Sequence, residues 1–355
     1  MLYKIAERVV ELESQGKKII KFNVGDPDQN TDPRIMEAAY KALKEGKTKY
    51  SSSFGLPKLR EKLAEIHNVK KENVIITPGS KIGIFSLMYL SLEKGSNIII
   101  PTPHWTAYEL MAKNIGVEVN FLKTDLESEW QIELEKLNEL IDEKTKMIIL
   151  NNPNNPTSKA IKNFEKIIEI AKENGIKVLS DECYSDISFS NTKSILEFNW
   201  EENFFVNSFS KTFAMTGWRL GYVIANKEVI NRLGNFFQIT VTNVPVFIQE
   251  AGLKALELKK EISNKMREIY QKRVDLANKI LSNSKLKFSK PDAPFYLFPK
   301  IPNLNSEEFA LNLLEKGTAI TPGTAFGDYR EFFRLSLTTE ENKIKEGLEK
   351  IIEIL

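Results

Sequence analysis

The stretch from Ser208 to Tyr222 holds the residues best equipped for chemistry: Ser208, Ser210 and Lys211 stand together, and Arg219 follows two helical turns on. A lysine amine can attack a carbonyl and form a Schiff base, while hydroxyl and guanidinium donors can hold a phosphate. Those two capacities together suit pyridoxal phosphate. Read alone, Lys211 has a simpler description, a solvated surface lysine.

Further polar groups stand where strands should end. Gly79-Ser80 lies between a strand and a helix start, so free N–H groups and the helix dipole could hold an anion there. An ordinary turn and cap is the plainer reading. Lys81 puts a cation in the first helical turn, where the dipole opposes it and a bound anion would relieve it. Asn151-Asn152-Pro153-Asn154-Asn155-Pro156-Thr157 is a rigid, turn-rich loop. Asp181 follows Val178-Leu179-Ser180, where burial of a carboxylate is costly unless a cation faces it. A protonated pyridine nitrogen would be such a cation; a helix or turn cap is the competing role.

A strand-then-helix rhythm must position these groups. Apolar residues from Ile5 to Leu12 have helical spacing, Lys18 to Val24 reads as a short strand ending at Gly25-Asp26-Pro27-Asp28, and Asp32-Pro33 opens a helix to about Leu43. After a polar loop, Lys47 to Gly55, comes a helix from Leu56 to His67. Short strands are predicted at Val74–Thr77, Asn97–Ile100, Met147–Leu150, Lys177–Ser180, Phe204–Asn207 and Tyr222–Ala225. Their apolar, β-branched character fits burial on both faces of a mostly parallel sheet. Beyond Glu228 the pattern is mainly helical, with one long amphipathic run from Leu256 to Leu281. Strands at Phe295–Phe298 and Phe332–Leu337 then alternate with helices, the last reaching Leu355. In such α/β sheets ligands lie beyond the carboxyl ends of the strands.

The totals narrow the function classes. A chain of 355 residues is most simply two domains, or one with a smaller lobe. Its 50 basic and 48 acidic side chains nearly balance, with no long block of one sign, which argues against nucleic acid and anionic membranes as partners. Small molecules are the default. The single cysteine, Cys183, precludes an internal disulfide and fits a reducing cytoplasm. The amino-terminal residues carry no apolar h-region and no run spans a bilayer, so a cytoplasmic protein is expected. Two histidines, His67 and His104, are too few for a His-based zinc site or a Ser-His-Asp triad, and the usual glycine-rich nucleotide cradles are missing.

Gly25-Asp26-Pro27-Asp28, Lys49-Tyr50, Asn155-Pro156-Thr157, Asp181-Glu182-Cys183-Tyr184, Ser208-x-Ser210-Lys211 and Trp218-Arg219-x-Gly221-Tyr222 occur in an order and spacing that resembles the class I/II aminotransferases, fold-type-I pyridoxal phosphate enzymes. The resemblance covers nearly the whole chain. It implies an α/β large domain, residues 36–284, with a mixed, mostly parallel sheet sandwiched by helices. A smaller α+β domain would come from both termini, residues 1–35 and 285–355. It implies a homodimer with composite active sites, working on amino acids and 2-oxo acids with pyridoxal 5'-phosphate.

The same resemblance assigns roles. Lys211 would be the Schiff-base lysine and proton shuttle, Asp181 the carboxylate facing the pyridine nitrogen, and Asn155 and Tyr184 the donors to the ring's phenolic oxygen. Trp105 would stack on the ring. Gly79, Ser80, Ser208, Arg219 and the partner chain's Tyr50 would hold the phosphate. Arg334 would bind the substrate's α-carboxylate in a fork, with the Gly25 backbone close by.

Two departures matter. Ser158 stands where the family usually has glycine, and Thr240 to Pro245 has no arginine for a side-chain carboxylate. A thermophile-like branch of aspartate aminotransferases resembles this chain in having a lysine where Lys81 stands, there serving the distal carboxylate. An aspartate-like donor is therefore favoured; aromatic, alanine or broad specificity, a C–S β-lyase, and a non-catalytic regulator are the alternatives.

Overall fold

In the computed structural model, residues 2–301, 303 and 305–355 are described. Brief apolar runs between glycine- and proline-bearing turns form short strands. In chain order these are β1 (Ile20–Lys21), β2 (Val74–Thr77), β3 (Asn97–Thr102), β4 (Glu118–Lys123), β5 (Thr145–Asn151) and β6 (Lys177–Asp181). There follow β7 (Asn203–Ser208), β8 (Gly221–Ile224), β9 (Tyr296–Leu297), β10 (Thr318–Ala319), β11 (Thr321–Pro322) and β12 (Phe333–Ser336).

The central sheet has seven strands in the order β2-β8-β7-β6-β5-β3-β4. β8 runs against both of its neighbours, and the remaining pairs are parallel. Period-two alternation sends Ile148, Leu150 and Phe205 to one face and Met147, Ile149, Phe204 and Val206 to the other, so each face has its own apolar core. Full burial on both sides explains why the strands read as continuous apolar runs. The mixed, mostly parallel α/β sheet expected from the sequence is the one observed.

A separate core joins the two ends of the chain. Ile5, Val9, Leu12 and Phe22 pack with Leu297, Leu313, Phe333 and Leu348. Here β1 pairs with β10 in parallel, and β11-β12-β9 form an antiparallel sheet. The helix Lys259–Leu281 serves two cores, with Ile262, Met266 and Tyr270 in that of the large sheet and Val274, Ala277 and Leu281 in the terminal one.

Three local readings change. The strand expected over Lys18–Val24 is ladder-paired only at Ile20–Lys21, because the carbonyls of Asn23 and Val24 turn to accept from Thr321 Oγ1, Arg334 Nη2 and Thr338 Oγ1. The run expected over Leu256–Leu281 is two helices, Val246–Glu257 and Lys259–Leu281, meeting at Leu258. Strand β4 was not anticipated. Only its Leu122 is buried, so this edge strand lacks an apolar run.

Candidate active site

One cleft gathers the carboxyl ends of five strands. From β2 the chain turns through Gly79, at φ 78°, into the helix Ser80–Ser91, whose N-terminus has no side-chain cap among the described residues. Thr102 of β3 leads to Trp105, Asn151 of β5 to Asn155, Asp181 closes β6, and Ser208 of β7 leads to Lys211. Because β8 runs in reverse, its first residue, Gly221, pairs with both Thr77 and Ser208. That register delivers Arg219 to the same edge. A Cβ on Gly79 would collide with the Arg219 guanidinium, so glycine is what permits the close approach.

The cleft has a volume of about 1060 Å³ and is lined by Gly25, Ser80, Lys81, Trp105, Asn155, Asp181, Tyr184, Ser208, Lys211, Arg219 and Arg334. Eleven of the thirteen residues singled out from the sequence thus converge. Gly79 stands behind Arg219 instead. Tyr50 lies outside the cleft of its own chain and is 89% exposed.

The cleft floor is a buried carboxylate. Asp181 accepts from Tyr108 Oη at 2.8 Å and from the Cys183 amide at 3.2 Å. Burial raises its pKa, against the opposing pull of those donors and of the Lys211 charge. A cation placed against it would offset that cost. Lys211 Nζ donates to the Gly25 carbonyl at 2.6 Å, which brings the amino-terminal segment over the lysine. The turn that follows is held by a bidentate pair, Arg273 to Asp28, at 2.7 and 2.8 Å. Thr31 adds a second clasp, donating to the Ala214 carbonyl and accepting from Trp218 Nε1.

At the opposite wall Arg334 is only 6% exposed. Its Nη1 donates to Asn155 Oδ1 at 3.0 Å and its Nη2 to the Asn23 carbonyl at 2.8 Å. Burial lowers its pKa. Its Nε has no partner among the described residues, an orphaned buried donor that a carboxylate oxygen would satisfy. The guanidinium lies 4.5 Å from the Tyr296 ring, and the Tyr296 hydroxyl meets that of Tyr184 at 3.1 Å. Burial also raises the Tyr184 hydroxyl well above its ordinary value. Near the rim, Lys81 Nζ sits 4.9 Å from the Trp105 ring.

Tyr108 and Tyr296 line this cleft and were not singled out beforehand. For Tyr108 the available signal was the need of a buried Asp181 for a donor; Tyr296 lies in an apolar run that marks nothing.

An uncapped helix end, hydroxyls and a guanidinium, an amine, a buried carboxylate and an orphaned guanidinium donor thus line one cleft, a set of groups able to hold anions at two places. The pattern of the family described as aminotransferase class I and II matches residues 17–351. This chain belongs to that family, whose members use pyridoxal phosphate, and it is an aminotransferase.

Aspartate aminotransferase of Thermococcus kodakarensis is 36% identical over 100% of this chain and 91% of its own length. The (5-formylfuran-3-yl)methyl phosphate transaminase of Methanocaldococcus jannaschii is 37% identical over 97% of this chain and 94% of its own. A solved structure of Thermus thermophilus aspartate aminotransferase with maleate superposes with a TM-score of 0.96 at 32% identity, spanning 100% of this chain and 96% of that one.

Proposed function

We propose that this enzyme moves an amino group between an aspartate-like amino acid and a 2-oxo acid such as 2-oxoglutarate, using pyridoxal 5'-phosphate in two successive half-reactions. The observation that carries this reading is the convergence on one cleft of Asp181 and Lys211, from the ends of neighbouring strands, with Arg334, more than a hundred residues further on. The residues fit the cofactor. Ser80, Ser208, Arg219 and the N–H groups at the start of the helix Ser80–Ser91 would hold its phosphate, and Asn155 and Tyr184 its phenolic oxygen. Trp105 would cover its ring. When bound, the cofactor supplies an aldehyde for amines and a protonated ring that accepts electrons.

The chain's own residues do the rest. Lys211, freed from Gly25, takes a proton from the substrate's α-carbon and returns one, acting as general base and then acid. Asp181, held by Tyr108, would favour a positive charge on the ring nitrogen of the bound cofactor. Arg334 binds the α-carboxylate through Nε and an Nη, beside the Gly25 backbone. Lys81, exposed at the rim, faces a distal carboxylate.

The exposed Tyr50, remote from its own cleft, supports a homodimer in which it completes the partner's phosphate site. The shared terminal core supports a small lobe built from both ends of the chain, residues 1–35 and 285–355, beside a large one, residues 36–284, whose Val274, Ala277 and Leu281 pack into that core. Near-neutral charge and one buried cysteine support a cytoplasmic enzyme. No helix among the described residues is long and apolar enough to cross a membrane.

Lys211→Ala tests the assignment. Wild type mixed with pyridoxal phosphate should retain it after borohydride reduction and convert aspartate with 2-oxoglutarate; the variant should do neither. Retained turnover in the variant would sink the assignment.

A further inference from the structure

Ser158 is buried, 1% exposed, and has φ of 54°, in the left-handed region that favours glycine. Its backbone ties two segments together. The amide donates to the Asn154 carbonyl at 2.8 Å, and the carbonyl accepts from Asp292 and Ala293 at 2.9 and 3.1 Å. A glycine would make all three bonds with less strain. What serine adds is Oγ, which accepts from the Tyr296 amide at 3.1 Å.

That bond closes a ring of contacts. Asn155, three residues before Ser158, accepts from Arg334 Nη1, and the Arg334 guanidinium lies on the Tyr296 ring. One side of the guanidinium is thus set by the loop and the other by a tyrosine whose backbone the same loop holds. We propose that Ser158 is a positioning residue for substrate: its hydroxyl fixes Tyr296, and through it the orientation in which Arg334 meets the α-carboxylate. Without that hydroxyl the buried Tyr296 amide loses its acceptor, and the strand end carrying the ring is held from the β12 side alone. This inference rests on the reading of Arg334 as the carboxylate residue.

The test uses the cofactor-loaded enzyme as wild type, Ser158→Gly and Ser158→Ala. Read out are the KM and kcat for amino acid and 2-oxo acid, the Kd of the non-reacting dicarboxylate maleate by calorimetry, and the melting temperature. Ser158→Gly should melt close to the wild-type temperature, because relief of the left-handed strain offsets part of the lost bond. Its maleate Kd and both KM values should rise about three- to ten-fold, with kcat within about two-fold. Ser158→Ala should show the same binding loss with a lower melting temperature, since it keeps the strained Cβ.

Unchanged carboxylate binding in either folded variant overturns the proposal. So does a kcat loss at constant KM, or a binding loss that tracks a fall in melting temperature in both variants. If wild type itself transfers no amino group, the reading of the site fails; if it does and Ser158→Gly behaves as wild type, only this inference fails.

Discussion

The hydroxyl of Tyr108 donates to Oδ2 of Asp181 at 2.8 Å inside the protein, from the helix Ala107–Asn114 to the end of β6. Trp105 stands three residues earlier, with its ring edge-on to Tyr108 at 5.3 Å. One short helix and the turn that leads into it therefore present an aromatic face to the cleft and secure a carboxylate that lines it.

Tyr108→Phe removes one of two donors to a buried carboxylate, which should cost Asp181 about 1–2 kcal/mol of stabilisation in its charged form. Cofactor affinity, measured by equilibrium dialysis, should weaken about ten-fold. The kcat should fall with it, while the KM for the amino acid moves little.

Arg334→Lys keeps a positive charge and loses the planar fork that would engage a carboxylate through two parallel bonds. KM for amino acid and 2-oxo acid should rise together, by about 10²-fold, with a smaller change in kcat. A rise for one substrate alone would argue against a shared carboxylate site.

Lys81→Ala separates side-chain recognition from catalysis. With 2-oxoglutarate as acceptor, kcat/KM should drop about ten-fold or more for aspartate and stay near wild type for alanine and phenylalanine as donors. Equal losses for every donor would mean that Lys81 does not read the side chain. Because Lys81 is exposed at the rim, the aspartate preference should also weaken as salt is added.

Glu182 is 1% exposed and accepts from Ser180 Oγ and the Ile195 amide; burial, against these bonds, pushes its pKa up from 4.5 to about 8. Between those values the folded chain keeps the proton that the unfolded chain releases, so stability falls as pH rises, by about 1.4 kcal/mol per unit at most. Glu182→Gln should abolish that component. Urea unfolding of the cofactor-free protein at several pH values from 5 to 8 should show the variant gaining on wild type as pH rises. Both histidines, driven down to about 4 chiefly by burial, titrate in the opposite sense and cancel in the comparison.

The large sheet and most of the site were legible because they rest on local signals. Strands buried on both faces leave unbroken apolar runs, and the polar groups beyond them, Ser80, Asn155, Asp181 and Lys211, stand out where each run stops. What escaped depends on distant partners. β1 is short because the carbonyls of Asn23 and Val24 bond residues about 300 positions away. Tyr108 and Tyr296 are ordinary core aromatics until Asp181 and Arg334 are folded against them. Ser158 was visible as a departure, but its reason lies in the Tyr296 amide.

The parallel pairing of Ile20–Lys21 with Thr318–Ala319 also sets an order of events. During synthesis the first strand waits for almost three hundred residues before its partner emerges, and such non-local pairing forms late. Everything from Gly79 to Arg219 has by then been made. The nascent chain can therefore assemble the side of the cleft built from Ser80 to Arg219 first, and the cleft is complete only when Gly25 and Arg334 are drawn together.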